Sequence, residues 1–323
     1  MKAIINDTYG TLDDLKLRDV AKPKVGARDV LVAVRAAGVD RGVWHLMTGL
    51  PYLIRAMGYG LRKPKTPVPG MDVAGTVEAV GSDVTRFRPG DEVFGICDGT
   101  YAEYVCTRGE KLAAKPINLS FIQAAAVPVS ALTALQAVRD ETKVRMGDKV
   151  LIIGASGGVG TFAVQIAKIF GAEVTGVCST KKADLVRSIG ADHIIDYEKQ
   201  DVTGGGQTYD AIIDIGGNRP LGKLRSALMP KGTLVIVGGE KGGRWLGGIG
   251  RNLRAVLLSP FVSQRLRSQF PAERLDDLLI LKEMIEAGKL VPVVDRSYAL
   301  TEAPQAIHHL EQGRARGKLV LTV

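Results

Sequence analysis

Between Val150 and Gly160 the chain reads VLIIGASGGVG, an apolar run that breaks into a turn of small residues. Ala155, Gly157 and Gly160 occupy the three small positions of a dinucleotide-binding turn. The first permits the tight bend, the second lets backbone approach a pyrophosphate, and the third lets helix pack on strand. The amides of Gly157, Gly158, Val159 and Gly160 would open the following helix, where free N–H groups and the macrodipole favour an anion. An ordinary glycine turn is the simpler alternative. The strand–turn–helix–strand context around it is what the nucleotide reading requires. The next strand ends in Val177-Cys-Ser-Thr-Lys-Lys182. No acid stands at its tip to hold a ribose 2′-hydroxyl. Ser179 and a lysine there suit a 2′-phosphate through charge-assisted hydrogen bonds. Cations at a helix start oppose the macrodipole, so a merely solvated face explains them less well. This selects NADPH over NADH.

The elements that must carry these residues follow from periodicity. From about residue 148, strands (149–153, 173–177, 193–196, 209–215, 232–237) alternate with helices (159–170, 182–189, 221–228). That alternation predicts a parallel sheet with right-handed crossovers, the doubly wound nucleotide-binding pattern. Before residue 120 short strands and turns prevail: Val30–Val34, 70–80, and the Arg88-Pro-Gly-Asp91 turn into 92–95. They predict a β-rich domain. Ser120 precedes an Ala-rich helix, and 133–140 is helical again. A helix over 274–287 is closed by Gly288. Terminal strands are expected at 291–294 and 318–323.

The composition sets limits. With 323 residues the chain has room for about two domains. At 46% hydrophobic and 24% charged residues it can bury a core and is not a disordered chain. No apolar run reaches membrane-span length, and the first residues lack a signal-peptide core; a cytoplasmic location is expected. Cys97, Cys106 and Cys178 form no C-x-x-C pair, so free thiols are expected. The net charge of +9 fits an anionic partner without choosing between a phosphorylated cofactor and nucleic acid.

With these motifs the chain resembles the medium-chain dehydrogenase/reductase superfamily, in its zinc-independent quinone oxidoreductase branch, over essentially its whole length. The resemblance rests on 69–77 (PGMDVAGTV), 84–93 (VTRFRPGDEV), 124–134 (AAAVPVSALTA), the 155–160 turn, Val237-Gly-Gly239 and Gly317-Lys-Leu-Val320. It implies an α/β protein: a GroES-like β-rich catalytic domain, 1–120 completed by 290–323, and a Rossmann doubly wound parallel-sheet domain, 121–289, binding NADP(H). It places the active site in the cleft between them. It also implies hydride transfer from NADPH to a quinone or an activated carbon–carbon double bond. By motif matching, Thr133, Gly238 and Gly239 fall near the nicotinamide. Ser179, Lys182 and Tyr197 fall near the adenosine 2′-phosphate. Lys318 joins the cofactor set from the C-terminal segment.

Zinc-bearing cousins place metal ligands where this chain has Asp40, Met71 and Val129, and Met71 and Val129 offer no suitable donor. No zinc is therefore expected. Without a Lewis acid on the substrate oxygen, a conjugated acceptor is favoured over an unactivated alcohol. The branch often carries Asn at Asp40 and Tyr near His45. His45 is the leading proton donor, since an imidazole titrates near working pH; a packing histidine is the alternative. Asp40 either orients His45 or makes a structural salt bridge near Arg41. Tyr52 and Tyr59 are alternative donors or pocket walls. Structural roles are expected for His193, His308 and His309.

The segment 240–254 carries Lys241, Arg244, Arg251 and Arg254 among glycines, with Trp245. It reads as a solvated loop or as a lid over a phosphate-bearing substrate such as an enoyl thioester. A catalytically weak NADPH-sensing or RNA-binding protein is a rival reading. Nucleic acid is disfavoured, because only Trp245 could stack. The apolar run 253–262 could be a helix by composition. The family places an edge strand near it that pairs across a homodimer, and Pro260 would end such pairing.

Overall fold

Runs rich in Val, Ile and Ala become fifteen strands among the described residues of the computed structural model, which describes residues 1–217, 219–239 and 243–323. The N-terminal part holds β1 (Lys2–Ile5), β2 (Lys16–Asp19), β3 (Asp29–Val39), β4 (Asp72–Val80), β5 (Glu92–Ile96), β6 (Tyr104–Arg108) and β7 (Leu112–Ala114). The middle holds β8 (Lys149–Ile153), β9 (Glu173–Cys178), β10 (His193–Asp196), β11 (Tyr209–Asp214), β12 (Leu228–Ile236) and β13 (Arg265–Ser268). The last two are β14 (Val294–Ala299) and β15 (Lys318–Thr322).

The chain forms two compact units, Met1–Leu132 with Glu273–Val323, and Thr133–Ala272. These limits differ from the expected boundaries at 120/121 and 289/290. The helix Leu275–Glu286 groups with the N-terminal unit because the chain beyond β7 grips it: Asn118 Nδ2 donates to Ile285 O at 2.8 Å, and Ile117 N to Glu286 Oε1 at 3.1 Å.

In the first unit a seven-stranded sheet runs β14-β15-β3-β4-β5-β7, with β6 also on β3. The β14–β15 pair is parallel and the other pairs are antiparallel. Val30, Val32, Val73, Val93 and Leu319 of these strands meet in one buried cluster. Each such fully buried aliphatic side chain contributes about 1.5–3 kcal/mol. Three neighbouring strands, β15, β3 and β4, therefore hold fixed register at the ends where Lys318, Asp40 and Asp72 stand.

In the second unit six parallel strands run β10-β9-β8-β11-β12-β13. Counting from β8, that is the order 3-2-1-4-5-6 of the dinucleotide-binding fold, which binds where the order reverses, between β8 and β11. The chain is thus α/β, with a GroES-like part and a Rossmann part.

The run 253–262 bears out its helical composition: 253–258 lie in the helix Ile249–Leu258 and 259–261 in the turn Ser259–Phe261, so Pro260 follows a helix and does not end a strand. The edge strand is the later β13, too short and polar to stand out in sequence. The strand expected at 291–294 begins at Val294. Gly288 ends its helix with φ +69°, as expected. Among the described residues no helix is long and apolar enough to cross a membrane.

Candidate active site

At the C-terminal end of β8 the chain turns at Gly154, with φ +87°, and Gly157 precedes the helix Gly158–Ile169. A Cβ on Gly160 would lie 2.1 Å from Gly154 O and 2.8 Å from Ala155 Cα, so only glycine lets this helix start against the strand. Gly157 differs. A Cβ there would meet only Gly154 O, at 3.6 Å, which is ordinary contact. Internal packing does not demand glycine at 157; a group approaching the turn from outside would. The helix's first amide bond is Thr161 N to Gly157 O, at 2.9 Å. The amides of Gly158, Val159 and Gly160 precede it, without intrahelical partners. Ala155 is fully buried beneath them. These features fit the phosphate-binding part of an NAD(P) dinucleotide.

Across the switch point, β11 ends in Asp214, fully buried, whose Oδ1 accepts from Gly217 N at 3.0 Å and whose Oδ2 pairs with Arg251. Gly238 and Gly239 follow β12. A Cβ on Gly238 would come within 2.1 Å of Ile215 O, and one on Gly239 within 2.7 Å of Gly248 Cα. Thr133 is buried in the same unit, its carbonyl accepting from Gln269 Nε2 at 2.8 Å just beyond β13. Asp214 escapes a reading of the sequence because an acid closing an apolar strand carries no local mark of burial. Arg251, expected in a loop, is turned inward to it. Trp245 of that segment is 75% exposed. Lys241 lies outside the described residues.

At the tip of β9, Ser179, Lys182 and Tyr197 come together: Ser179 O accepts from Lys182 N at 3.0 Å, and Tyr197 N donates to Cys178 O at 3.1 Å. Two acids from the end of the neighbouring β10 stand close by, which inspection of β9 alone does not reveal. Both are engaged with Thr180, whose Oγ1 donates to Asp196 Oδ2 at 2.5 Å and whose N donates to Glu198 Oε2 at 3.2 Å. Asp196 also pairs with Lys199 at 3.4 Å. The Thr180 hydroxyl above all holds the Asp196 carboxyl below its usual range.

In the other unit Asp40 precedes the helix Arg41–Thr48. His45 is half-buried on that helix, with Nδ1 2.8 Å from Leu50 O. That contact assigns Nδ1 as the donor and turns Nε2 toward other partners. Tyr52 opens the next turn, and the Arg55 guanidinium lies over both the Tyr52 and Tyr9 rings, at 4.7 and 4.3 Å. His193 pairs with Glu173 at 3.0 Å, and His309 shares a 2.7 Å hydrogen bond with the Tyr298 hydroxyl.

Lys318, expected in the cofactor set, lies in the first unit beside Asp40 and Asp72. It is 2% exposed, and its ammonium reaches Asp40 Oδ1, Asp72 Oδ2 at 2.7 Å and Ser130 Oγ at 3.1 Å. Asp40 therefore makes a buried ion pair, with Lys318. Asp72 is fully buried, and its Oδ1 accepts from Val129 N at 2.7 Å. Burial first, then the Asp40 carboxylate, push the Asp72 carboxyl well above its usual range against the pull of Lys318. Burial works to lower the Lys318 ammonium, but Asp40 and Asp72 together outweigh it and hold it above its ordinary value. Asp72 is legible in sequence only as part of the PGMDVAG motif.

Comparison with known proteins gives the family. The description "Alcohol dehydrogenase GroES-like domain" matches residues 26–117, and "Zinc-binding dehydrogenase" matches 189–321. The chain is 36% identical to the mitochondrial NAD(P)H oxidoreductase RTN4IP1 of Bos taurus, covering 100% of this chain and 89% of that protein. It is 32% identical to 2-methylene-furan-3-one reductase of Solanum lycopersicum, covering 99% and 79%. The solved quinone oxidoreductase of Coxiella burnetii superposes with a TM-score of 0.87 at 30% identity, over 100% of this chain and 99% of that one. The second description names zinc, and the residues here do not fit it. Asp40 is bound to an ammonium, Met71 offers a thioether and Val129 no donor. Among the described residues no three His, Cys, Asp or Glu side chains gather as a metal site.

Proposed function

Because the chain belongs to the medium-chain dehydrogenase/reductase superfamily, in its quinone oxidoreductase-like branch, we propose that it is a zinc-independent, NADPH-dependent reductase of quinones or α,β-unsaturated carbonyls. The observation that carries the reading is the contrast between Gly160, which the fold itself requires, and Gly157, where the chain leaves room for a side chain at the mouth of the turn. The amides of Gly158, Val159 and Gly160 hold the pyrophosphate, and Gly157 lets it approach the turn. Ser179, Lys182 and Tyr197 receive the 2′-phosphate, and the nearby acids are already engaged. Thr133, Gly238 and Gly239 flank the nicotinamide, which supplies the hydride.

The acceptor class follows from the donor set at 40, 71 and 129. With Asp40 paired to an ammonium and no suitable donor at 71 or 129 to hold a Lewis acid, an acceptor that spreads negative charge by conjugation is favoured. His45, an imidazole near Asp40 in sequence, and Tyr52, a phenol, are the candidate donors to the oxygen that becomes charged.

The test is initial rates of NADPH oxidation by chelator-treated protein, with an ortho-quinone, an enal, an enone and a crotonyl thioester, and NADH in parallel. Turnover that survives chelation and prefers NADPH is expected. Tight NADPH binding without turnover of any acceptor overturns the reading in favour of a nucleotide-sensing protein. A strong preference for the thioester would narrow the acceptor to enoyl thioesters.

A further inference from the structure

Between residues 215 and 272 the chain carries ten Lys and Arg and one acid, Glu240, so the whole net charge of +9 sits in this stretch and the rest of the chain is balanced. The stretch builds the helix Ile249–Leu258 and the turn Ser259–Phe261 beside β13. That helix is apolar on two opposite faces. Ala255 and Leu258, with Val262 just past the turn, pack on the core of the second unit. On the same face Arg251 is tied to Asp214, and Ser259 Oγ accepts from Leu266 N at 3.0 Å. These contacts fix the helix to the sheet. Leu253, Val256, Leu257 and Phe261 recur at the same three- and four-residue spacing on the opposite face. They stand in solvent, Leu257 70% and Phe261 84% exposed. Trp245, in the turn before the helix, is exposed with them. Single apolar side chains on a surface need no explanation, but a continuous stripe marks a surface that something covers.

Charge decides what covers it. Arg244 and Arg254 are exposed beside the stripe. Arg225 of the neighbouring helix Leu221–Ser226 meets a neutral amide, Gln264 Oε1 at 3.3 Å. A second copy laid on the stripe about a two-fold axis would set these cations against themselves, with no acid at 241–272 to answer them. A nucleic acid would meet an aliphatic stripe, which gives its bases nothing to stack on. A bilayer with anionic headgroups suits both halves. The stripe enters the boundary of the acyl chains, and the arginines reach the headgroups on long stems. At ten residues the helix is too short to span a membrane, so it would lie in the plane of the interface.

We propose that this face of the second unit is a docking surface for an anionic lipid bilayer. Leu253, Val256, Leu257 and Phe261 insert, Trp245 sits at headgroup level, and Arg244 and Arg254 hold the headgroups. The docking does not depend on the reductase reading, and it is measured without turnover.

The test uses the full chain and vesicles of phosphatidylcholine with and without an equal part of phosphatidylglycerol. Co-sedimentation with the mixed vesicles at low salt is expected, with little on phosphatidylcholine alone and release as salt is raised. Brominated lipid should quench the fluorescence of the wild type, and Trp245→Phe should lose that quenching. Leu257→Gln combined with Phe261→Gln should weaken vesicle binding by about 10²-fold. Arg244→Gln combined with Arg254→Gln should weaken it by about 30-fold. Both pairs change exposed side chains, so melting temperatures should match the wild type. Failure of the wild type to bind the mixed vesicles at low salt overturns the proposal. Binding that both paired variants retain in full overturns this surface as its seat. A dimer that Leu257→Gln with Phe261→Gln disperses, or retention on single-stranded RNA, in either case without vesicle binding, gives the face to another partner and equally overturns it.

Discussion

Gly157 and Gly160 sit three residues apart and answer to different forces, so they separate binding from folding. Gly160→Ala forces a Cβ to within 2.1 Å of backbone and should cost about 1–3 kcal/mol or more, read as a lower melting temperature. Gly157→Ala has room in the chain and should cost at most about 1 kcal/mol, the usual penalty for alanine at a helix start. Its NADPH affinity should nonetheless fall by about tenfold or more. Equal losses in both would mean that the turn does not meet a ligand. Lys182→Ala should raise the NADPH KM about 10- to 100-fold, the worth of one charged hydrogen bond, and leave the NADH KM alone. The thiols should be quiet: burial above all pushes Cys178 up to about 11 and Cys97 higher still, and raises Cys106. Slow alkylation at neutral pH that becomes fast on unfolding is expected. Residues of the nucleotide turn were legible because their spacing is local. The Asp40–Asp72–Lys318 pocket was not, since its members lie on three strands brought together only by the sheet.

Among elements, most alternating strands and helices of the nucleotide unit were readable to within a residue or two, β10 at His193–Asp196 included, although β12 begins at Leu228, four residues before the expected start. Fully buried parallel strands are continuous apolar runs, and the helices between them show clear spacing. The helix Phe121–Ala125 was also marked by its start: Gln123 N donates to Ser120 Oγ at 3.3 Å, and Gln123 Oε1 accepts from Ser120 N at 3.0 Å. Ser120→Ala should therefore cost about 1 kcal/mol, measurable in thermal or urea unfolding. The helix Ile249–Leu258 and β13 were harder. The first has large exposed apolar residues, Leu253, Val256 and Leu257, and the second is four residues with two arginines. Neither pattern shows which face is buried until the sheet is built.

At the scale of the whole molecule, both ends of the chain build one unit and the middle builds the other. That architecture was visible only through resemblance, since no local pattern announces that β15 will lie beside β3. The same nesting brings Lys318 to Asp40, 278 residues away in sequence. The chemistry we propose for the molecule is a transfer of hydride from a reduced nicotinamide to a conjugated acceptor. The most direct measurement is the fate of the label when NADPH deuterated at the transferred C4 position is incubated with the protein and an enone. Deuterium bonded to the β-carbon of the saturated product, at a rate that chelator leaves unchanged, is the predicted result. Label retained in unconsumed cofactor, with the enone intact, would contradict the account.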